Sequence, residues 1–280
     1  MTRVAIPSKG RLRDAVLVLL EHAGYSVAGL SGGGAGATAT VDGIEFIEMR
    51  PRDAGSWLAA GRLDAAFVST DIVLEESLDD LHRTRLGFAR SDLVVASRED
   101  DGRSGSSDLA GATVATHLPN ATAGWFASQG VDVRVVTMGG ALEGVCAAGL
   151  ADAVVDLRET GTSLARNRLR VLAEIERCEA EFVTAAVDDV LDDLEVRLSA
   201  ALHARRQRYV MLHLPPGEVD GLARIFPGLA APTVLPLAGR DDLVAIHLVV
   251  EAKELFRRLG ELRALGASGI VALPPDAVLR

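Results

Sequence analysis

Apolar and polar positions along this chain change period several times, and each change marks an element. Val4-Ala5-Ile6 is a short apolar run ended by Pro7, and Leu12, Val16, Leu19, Leu20 and Ala23 then recur at helical spacing. Gly24 stands where a helix C-cap expects it, and Ser31-Gly32-Gly33-Gly34-Ala35-Gly36 reads as a loop. Residues 44–49 alternate like a half-buried strand, followed by a helix over 53–60 and an apolar strand over 65–68. A second region opens near residue 90. Strands are predicted at 93–96, 114–116, 131–136 and 153–157, with helices at 121–129 and 142–148 between them and a polar Gly/Ser stretch at 100–108. Short alternating strands and helices of this kind predict α/β lobes with largely parallel sheets, whose ligands bind beyond the carboxyl ends of the strands. The informative positions are therefore those after Ile6, Met49, Val68, Thr137 and Val155.

A third region follows a helix predicted over 188–206. Its units are a strand at 209–214, a helix at 219–225, strands at 233–237 and 243–250, a helix at 254–265 and a strand at 269–273. This β-α-β-β-α-β order is that of a ferredoxin-like module.

Charge and composition narrow the function. Thirty-nine acids against twenty-nine bases leave a formal charge of −10, which argues against a chain that tracks nucleic acid by neutralising phosphates. Aromatics make up 4%, too few for a base-stacking surface. No apolar run reaches the roughly 18 residues of a spanning helix, and no signal-peptide block opens the chain. Cys146 and Cys178 lack metal or disulfide spacing, so the expected setting is a reducing cytoplasm, away from membranes.

Several constellations could carry chemistry. In Asp156-Leu157-Arg158-Glu159-Thr160-Gly161-Thr162-Ser163-Leu164 an apolar strand delivers a carboxylate, and a turn with one Gly and three hydroxyls follows. Backbone N–H groups and hydroxyls of such a turn form an anion concavity, while the carboxylate can hold paired ribose hydroxyls. The same residues also suit a plain strand–helix turn in which Thr162 or Ser163 caps the helix. Lys9, one of two lysines among twenty-nine basic residues, lies in Pro7-Ser8-Lys9-Gly10-Arg11-Leu12, again between strand and helix. It suits a point charge for a phosphate or a solvated side chain. Arg50 and Arg52 follow another strand end and could bind pyrophosphate bidentately, or stand in water beside an Asp53 N-cap. Asp64 and Asp71 flank the next strand, and Glu143, after Gly139-Gly140, could share a cleft with Asp156. Two carboxylates there could hold Mg²⁺ bound to a diphosphate. The histidines share no metal-type spacing: His22, His82, His117 and His203 are expected at the surface, and His247 in a core or sheet edge. Nucleophilic catalysis is not indicated.

The order of these motifs carries a family resemblance. Ala5-Ile6-Pro7-Ser8-Lys9-Gly10-Arg11-Leu12, Arg50-Pro51-Arg52-Asp53, Gly61-Arg62-Leu63-Asp64, Leu86-Gly87-Phe88, the run from Gly149 to Asp156 and the Glu159–Leu164 loop together resemble ATP phosphoribosyltransferase. Pro232-Thr233-Val234, Val244-Ala245-Ile246-His247 and Leu265-Gly266-Ala267 resemble the regulatory domain of its long form. The resemblance implies an α/β fold with a two-lobed, type II periplasmic-binding-like catalytic part and a C-terminal ferredoxin-like βαββαβ domain. Lobe one would span 1–90, completed by about 180–206; lobe two 91–179; and the regulatory domain 207–280. The implied reaction is transfer of phosphoribosyl from phosphoribosyl diphosphate to a ring nitrogen of ATP, with Mg²⁺ as cofactor and pyrophosphate released. It opens histidine biosynthesis, with histidine as feedback inhibitor and a homo-oligomer, dimer to hexamer, as the assembly. Carried over by motif, Lys9, Arg50, Glu143 and Asp156 are catalytic, and Glu143 and Asp156 lie at the metal. Asp156, Glu159, Thr160, Gly161, Thr162 and Ser163 hold phosphoribosyl diphosphate. Arg11, Arg52 and Asp71 line the nucleotide side, and Thr233 is regulatory.

The chain departs from the family where the acceptor would sit. Ala66 and Ser69 replace two glycines of the usual pattern, no basic residue lies between Asp14 and Met49, Thr113 stands for an arginine, and Ala121-Thr122-Ala123 lacks a basic residue. His213 occupies a place expected to hold a small polar or acidic residue. An enzyme with compensating arginines, a phosphoribosyltransferase with another nitrogen acceptor, and a non-catalytic two-lobed sensor all accommodate this pattern.

Overall fold

The computed structural model describes residues 1–30, 37–186, 188–229 and 231–279; the Gly-rich stretch 31–36 lies outside the described residues. The chain divides into two compact units, one of Met1–Val18 with Ser26–Leu191, the other of Leu19–Tyr25 with the chain from Asp192 onward.

The first unit opens with β1 (Thr2–Pro7), α1 (Gly10–His22), β2 (Thr38–Val41), β3 (Ile44–Met49), α2 (Pro51–Ala59), β4 (Ala65–Ser69), α3 (Thr70–Glu75) and β5 (His82–Arg85). It continues with β6 (Ser91–Arg98), β7 (Thr113–Thr116), α4 (Pro119–Ser128), β8 (Arg134–Thr137), α5 (Leu142–Ala147), β9 (Ala153–Arg158), α6 (Thr162–Arg166), β10 (Leu169–Cys178) and β11 (Ala180–Thr184). Two sheets result, ordered β2-β3-β1-β4-β11-β5 and β10-β6-β9-β7-β8. Each has a parallel core, β3-β1-β4 in one and β8-β7-β9 in the other. Each core then accepts an antiparallel strand that enters from the other sheet: β11 beside β4, and β6 beside β9. This exchange of strands is the type II periplasmic-binding arrangement, and the unit is two-lobed as expected.

Val4, Ala5 and Ile6 of β1 are buried on both faces, which is why they read as a continuous apolar run. Four strands escaped the pattern: β2, β5, β10 and β11. β5, His-Arg-Thr-Arg, has no apolar residue, and β10 interleaves Glu174, Glu176 and Arg177 with two register shifts against β6. Helix α2 packs close on α3, because a Cβ on Gly55 would stand 2.5 Å from Ile72 Cγ2. That close packing fixes the ends of both helices toward the site.

Helix α7 (Asp189–Arg206), crossed by the boundary, leads into the second unit. There β12 (Gln207–Leu214), α8 (Val219–Ile225), β13 (Thr233–Leu237), β14 (Arg240–Glu251), α9 (Ala252–Arg257), α10 (Leu259–Ala264) and β15 (Ser268–Leu273) form the expected βαββαβ. Its sheet, β13-β14-β12-β15, is antiparallel throughout. Val210, Leu212, Leu214, Ile246 and Leu248 alternate inward against Leu222, Phe226, Leu255 and Leu262 of the helices. The single helix expected over 254–265 is two, broken at Arg258, whose N–H is shared between the Glu254 and Leu255 carbonyls. Among the described residues no helix is long and apolar enough to cross a membrane.

Candidate active site

The site is built from strand ends. Ala153, Val154 and Val155 of β9 are fully buried and pin the strand between β6 and β7. Asp156 follows them, half-buried, with its Oδ1 accepting the Leu157 N–H at 2.8 Å. Burial pushes this carboxyl above its ordinary value, and the charges of Glu143 and Asp71 add to the push. Past the strand, Gly161 sits at φ +75°, the left-handed region that favours glycine, and turns the chain into α6. The first N–H groups of α6 have no acceptor within the helix, and the Thr160 and Thr162 hydroxyls lie 3.0 Å apart beside them. A pocket of about 500 Å³ opens here, lined by the turn together with Glu143, Arg158 and Asn167. Ser163 Oγ donates to Glu143 Oε1 at 2.5 Å, which ties α5 to the turn.

The other wall comes from the first lobe. Asp71, in the first turn of α3, is 3% exposed, and its Oδ1 accepts the Ser69 hydroxyl. Burial raises its carboxyl, while the Ser69 bond and His117 pull the other way. His117 follows β7 in the second lobe, with Nδ1 3.5 Å from Asp156 Oδ1. Its imidazole stands where it acts electrostatically on both Asp71 and Asp156, so it is a residue of the cleft rather than the surface histidine expected above. The signal was available: His117 directly follows the carboxyl end of a parallel strand, where ligands of such sheets bind.

Two contacts tie the lobes together at this level. Arg52 Nη1 donates to the His117 carbonyl at 2.8 Å, with Nη2 3.7 Å from Glu75 Oε1. Glu75, 2% exposed, accepts the N–H groups of Asn120 and Ala121 at 2.9 and 3.0 Å and so caps α4 from the opposite lobe. A third bond joins Arg11 to Glu159, linking the start of α1 to the hydroxyl-bearing turn.

The expected site residues thus sort by what they touch. Glu143, Glu159, Thr160, Gly161, Thr162 and Ser163 line one pocket, while Asp156 stands just before that lining, beside His117. Glu159 faces Arg11, and Arg52 is engaged by backbone and by Glu75. Lys9 and Arg50 are exposed, with no ion-pair partner among the described residues. Ser69, where the family pattern has glycine, engages Asp71, and Ala66 is buried in the core of the lobe. Thr233 belongs to the second unit, exposed on β13 and opposite His247 of β14. Among the described residues no group of three or more His, Cys, Asp or Glu side chains is arranged to hold a metal ion. Glu143 and Asp156 offer a pair, which suits a cation that arrives with its own phosphate and water oxygens.

Comparison with known proteins agrees with this geometry. Residues 50–201 match the family model for ATP phosphoribosyltransferase, and residues 204–275 match that for the HisG C-terminal domain. An ATP phosphoribosyltransferase of Gemmatimonas aurantiaca is 39% identical over 285 residues, covering 97% of each chain. Another, from Methanococcoides burtonii, is 32% identical over 283 residues and covers 100% of both. The solved ATP phosphoribosyl transferase (HisG:HisZ) complex from Thermotoga maritima superposes with a TM-score of 0.59 at 28% identity, covering 71% of this chain and 98% of that one. With relatives aligned along the whole sequence and the C-terminal domain matched as well, the chain is an enzyme and belongs to the ATP phosphoribosyltransferase family, in its long form.

Proposed function

We propose that the chain transfers the phosphoribosyl group of phosphoribosyl diphosphate to a ring nitrogen of the ATP adenine, as the first step of histidine biosynthesis. The observation that carries this reading is the pocket of about 500 Å³ lined by Glu143 and the turn from Thr160 to Ser163, whose lining begins directly after Asp156 on β9. Asp156 accepts hydrogen bonds from the ribose hydroxyls, while the turn's N–H groups and hydroxyls hold the 5-phosphate. The bond from the anomeric carbon to the diphosphate oxygen breaks, the leaving group departs with the electron pair, and the adenine nitrogen supplies the pair for the new bond. Such a loose displacement needs positioned reactants and a neutralised leaving group more than a strong base. Lys9 and Arg50, exposed at the lobe-one strand ends and without an ion-pair partner among the described residues, supply that positive charge. Glu143 and Asp156 would hold Mg²⁺ carried by the diphosphate, and the ion would add charge neutralisation at the leaving oxygens. His117 orients Asp156 from the side.

Histidine as feedback inhibitor acting through Thr233, assembly into a homo-oligomer and a cytoplasmic setting belong to the same reading. The family membership and the antiparallel C-terminal sheet that carries Thr233 support it. A second reading, another nitrogen acceptor, is favoured by one observation: Ser69 occupies the Asp71 carboxylate on the side assigned to the nucleotide.

Incubation with ATP, phosphoribosyl diphosphate and Mg²⁺ should release pyrophosphate and form the phosphoribosyl adduct. Asp156→Ala should weaken phosphoribosyl diphosphate binding by about a hundredfold, the worth of one or two charge-assisted hydrogen bonds. Turnover with a different acceptor and none with ATP would move the assignment to the second reading. Unchanged affinity in Asp156→Ala would end both.

A further inference from the structure

The chain returns from the second sheet to the first through one residue, Glu179, between the end of β10 and the start of β11. β11 then runs antiparallel to β4, with Ala180 opposite Ser69. The next pair out is Glu179 and Thr70, and there the ladder needs a substitute. Thr70 opens α3, and a helix turns its first carbonyls along its own axis, away from a neighbouring strand. The Thr70 N–H still donates to the Glu179 carbonyl at 3.1 Å. For the Glu179 N–H, the Thr70 hydroxyl takes the place of the missing carbonyl and accepts at 3.1 Å. A hydroxyl has one proton to give, and Glu181 Oε1, at 2.6 Å, is nearer to it than the Glu179 carbonyl at 3.3 Å. Glu181 is fully buried; its Oε2 stands 3.0 Å from Arg83 Nε, and Arg83 Nη1 reaches on to Asp79 at 2.7 Å. A carboxylate taken out of water costs stability unless its partners are well placed, and the reaction proposed above makes no use of Glu181.

The network ends beside the site. α3 has six residues, too few to hold a fixed direction by its own hydrogen bonds, so its setting depends on ties at its two ends. At the far end Glu75 accepts the N–H groups of Asn120 and Ala121 in the second lobe. At the head stands Thr70, buried, and the next residue is Asp71. We infer that Thr70, held by Glu181 and by the Glu179 N–H, is the positioning residue for Asp71: it fixes the head of α3 to the strand crossing and so aims the Asp71 carboxylate at the acceptor. The inference rests on the reading of Asp71 as a residue of the nucleotide side. It gives the buried Glu181–Arg83 pair a task, that of fixing the acceptor of the Thr70 proton.

The test is a cycle of Thr70→Val and Asp71→Ala in the full-length protein, read by steady-state turnover with ATP and phosphoribosyl diphosphate. Valine keeps the branched shape of threonine and removes the hydroxyl. Thr70→Val should raise the KM for ATP about tenfold, with the KM for phosphoribosyl diphosphate within about twofold, and Thr70→Ser should recover most of the loss. Asp71→Ala should raise the KM for ATP at least as much; if it does not, the reading of Asp71 fails and the inference with it. In the Asp71→Ala protein, which has no carboxylate to place, adding Thr70→Val should change that KM by less than about twofold. A loss of stability with the KM unmoved, or an equal rise in both backgrounds, refutes the inference. If Thr70→Val does not fold, Glu181→Gln, whose neutral carbonyl is the weaker acceptor, should raise the same KM about threefold, and an unchanged KM refutes it again. Carboxyl titration by NMR needs no turnover, the Asp71 signal being the one absent from Asp71→Ala. Burial raises this carboxyl, so Thr70→Val should bring it down toward the ordinary range as the head of α3 loosens, and an unchanged titration refutes the inference. Turnover with another nitrogen acceptor moves the reaction, and the cycle then runs on that acceptor's KM. A wild type without turnover removes the reaction and leaves the titration to decide.

Discussion

Gly161→Ala isolates what the turn at the head of α6 contributes. Gly161 stands at φ +75°, and among the described residues beyond its chain neighbours an added Cβ would come within 4 Å of Arg158 Cδ alone, at 3.9 Å. No clash is introduced, so the whole cost is the left-handed backbone, about 1–2 kcal/mol for an L-residue other than glycine. The protein can express that cost in two ways. If the turn keeps its shape, the unit loses the full amount, and at about 2–4 °C per kcal/mol its melting temperature falls by about 2–8 °C. If the turn relaxes instead, the N–H groups and the hydroxyls of Thr160 and Thr162 leave their convergent placement. The same free energy then appears as about 5- to 30-fold weaker phosphoribosyl diphosphate binding. Calorimetric titration and thermal unfolding of one preparation measure both shares, and their sum should fall in the stated range. Gly161→Asn is the control, because asparagine tolerates the left-handed region and should lose much less. A Gly161→Ala protein equal to wild type in both measurements, or an asparagine variant as damaged as the alanine one, would show that the turn does not need this conformation.

Two further outcomes follow from the cleft. Burial raises the Asp71 carboxyl, so its contribution to stability is intact below the unfolded pKa and is lost as pH rises through the folded one. Asp71→Asn should therefore gain stability relative to wild type as pH rises above about 4, read as the difference in melting temperature; a difference that shrinks with pH would contradict the assignment. Glu75→Ala leaves the Asn120 and Ala121 N–H groups without their acceptor across the lobes. It should cost about 1–3 kcal/mol in urea unfolding, the desolvation that raises the Glu75 carboxyl offsetting part of the larger loss, and a cost below about 0.5 kcal/mol would mean the cap is idle.

The sequence by itself settled what depends on neighbours along the chain. The alternation of β3, the buried run of β1, the βαββαβ order of the second unit and the carboxylate–turn unit from Asp156 to Ser163 are all local patterns, and each is present in the structure. β5 and β10 were not legible: β5 has no apolar residue, and in β10 charged residues and two register shifts interrupt the period-two signal, so that pairing with β11 and β6 is what reveals them as strands. The same holds for the site. Arg52 reads as a free strand-end guanidinium until the second lobe supplies the His117 carbonyl, and Glu75 carries no motif until α4 brings its N–H groups within reach. The charges around Asp156, from His117, Glu143 and Asp71, likewise come from residues far away in sequence, because the field at a side chain depends on distance in space and on burial. Burial and long-range charge are properties that folding alone creates.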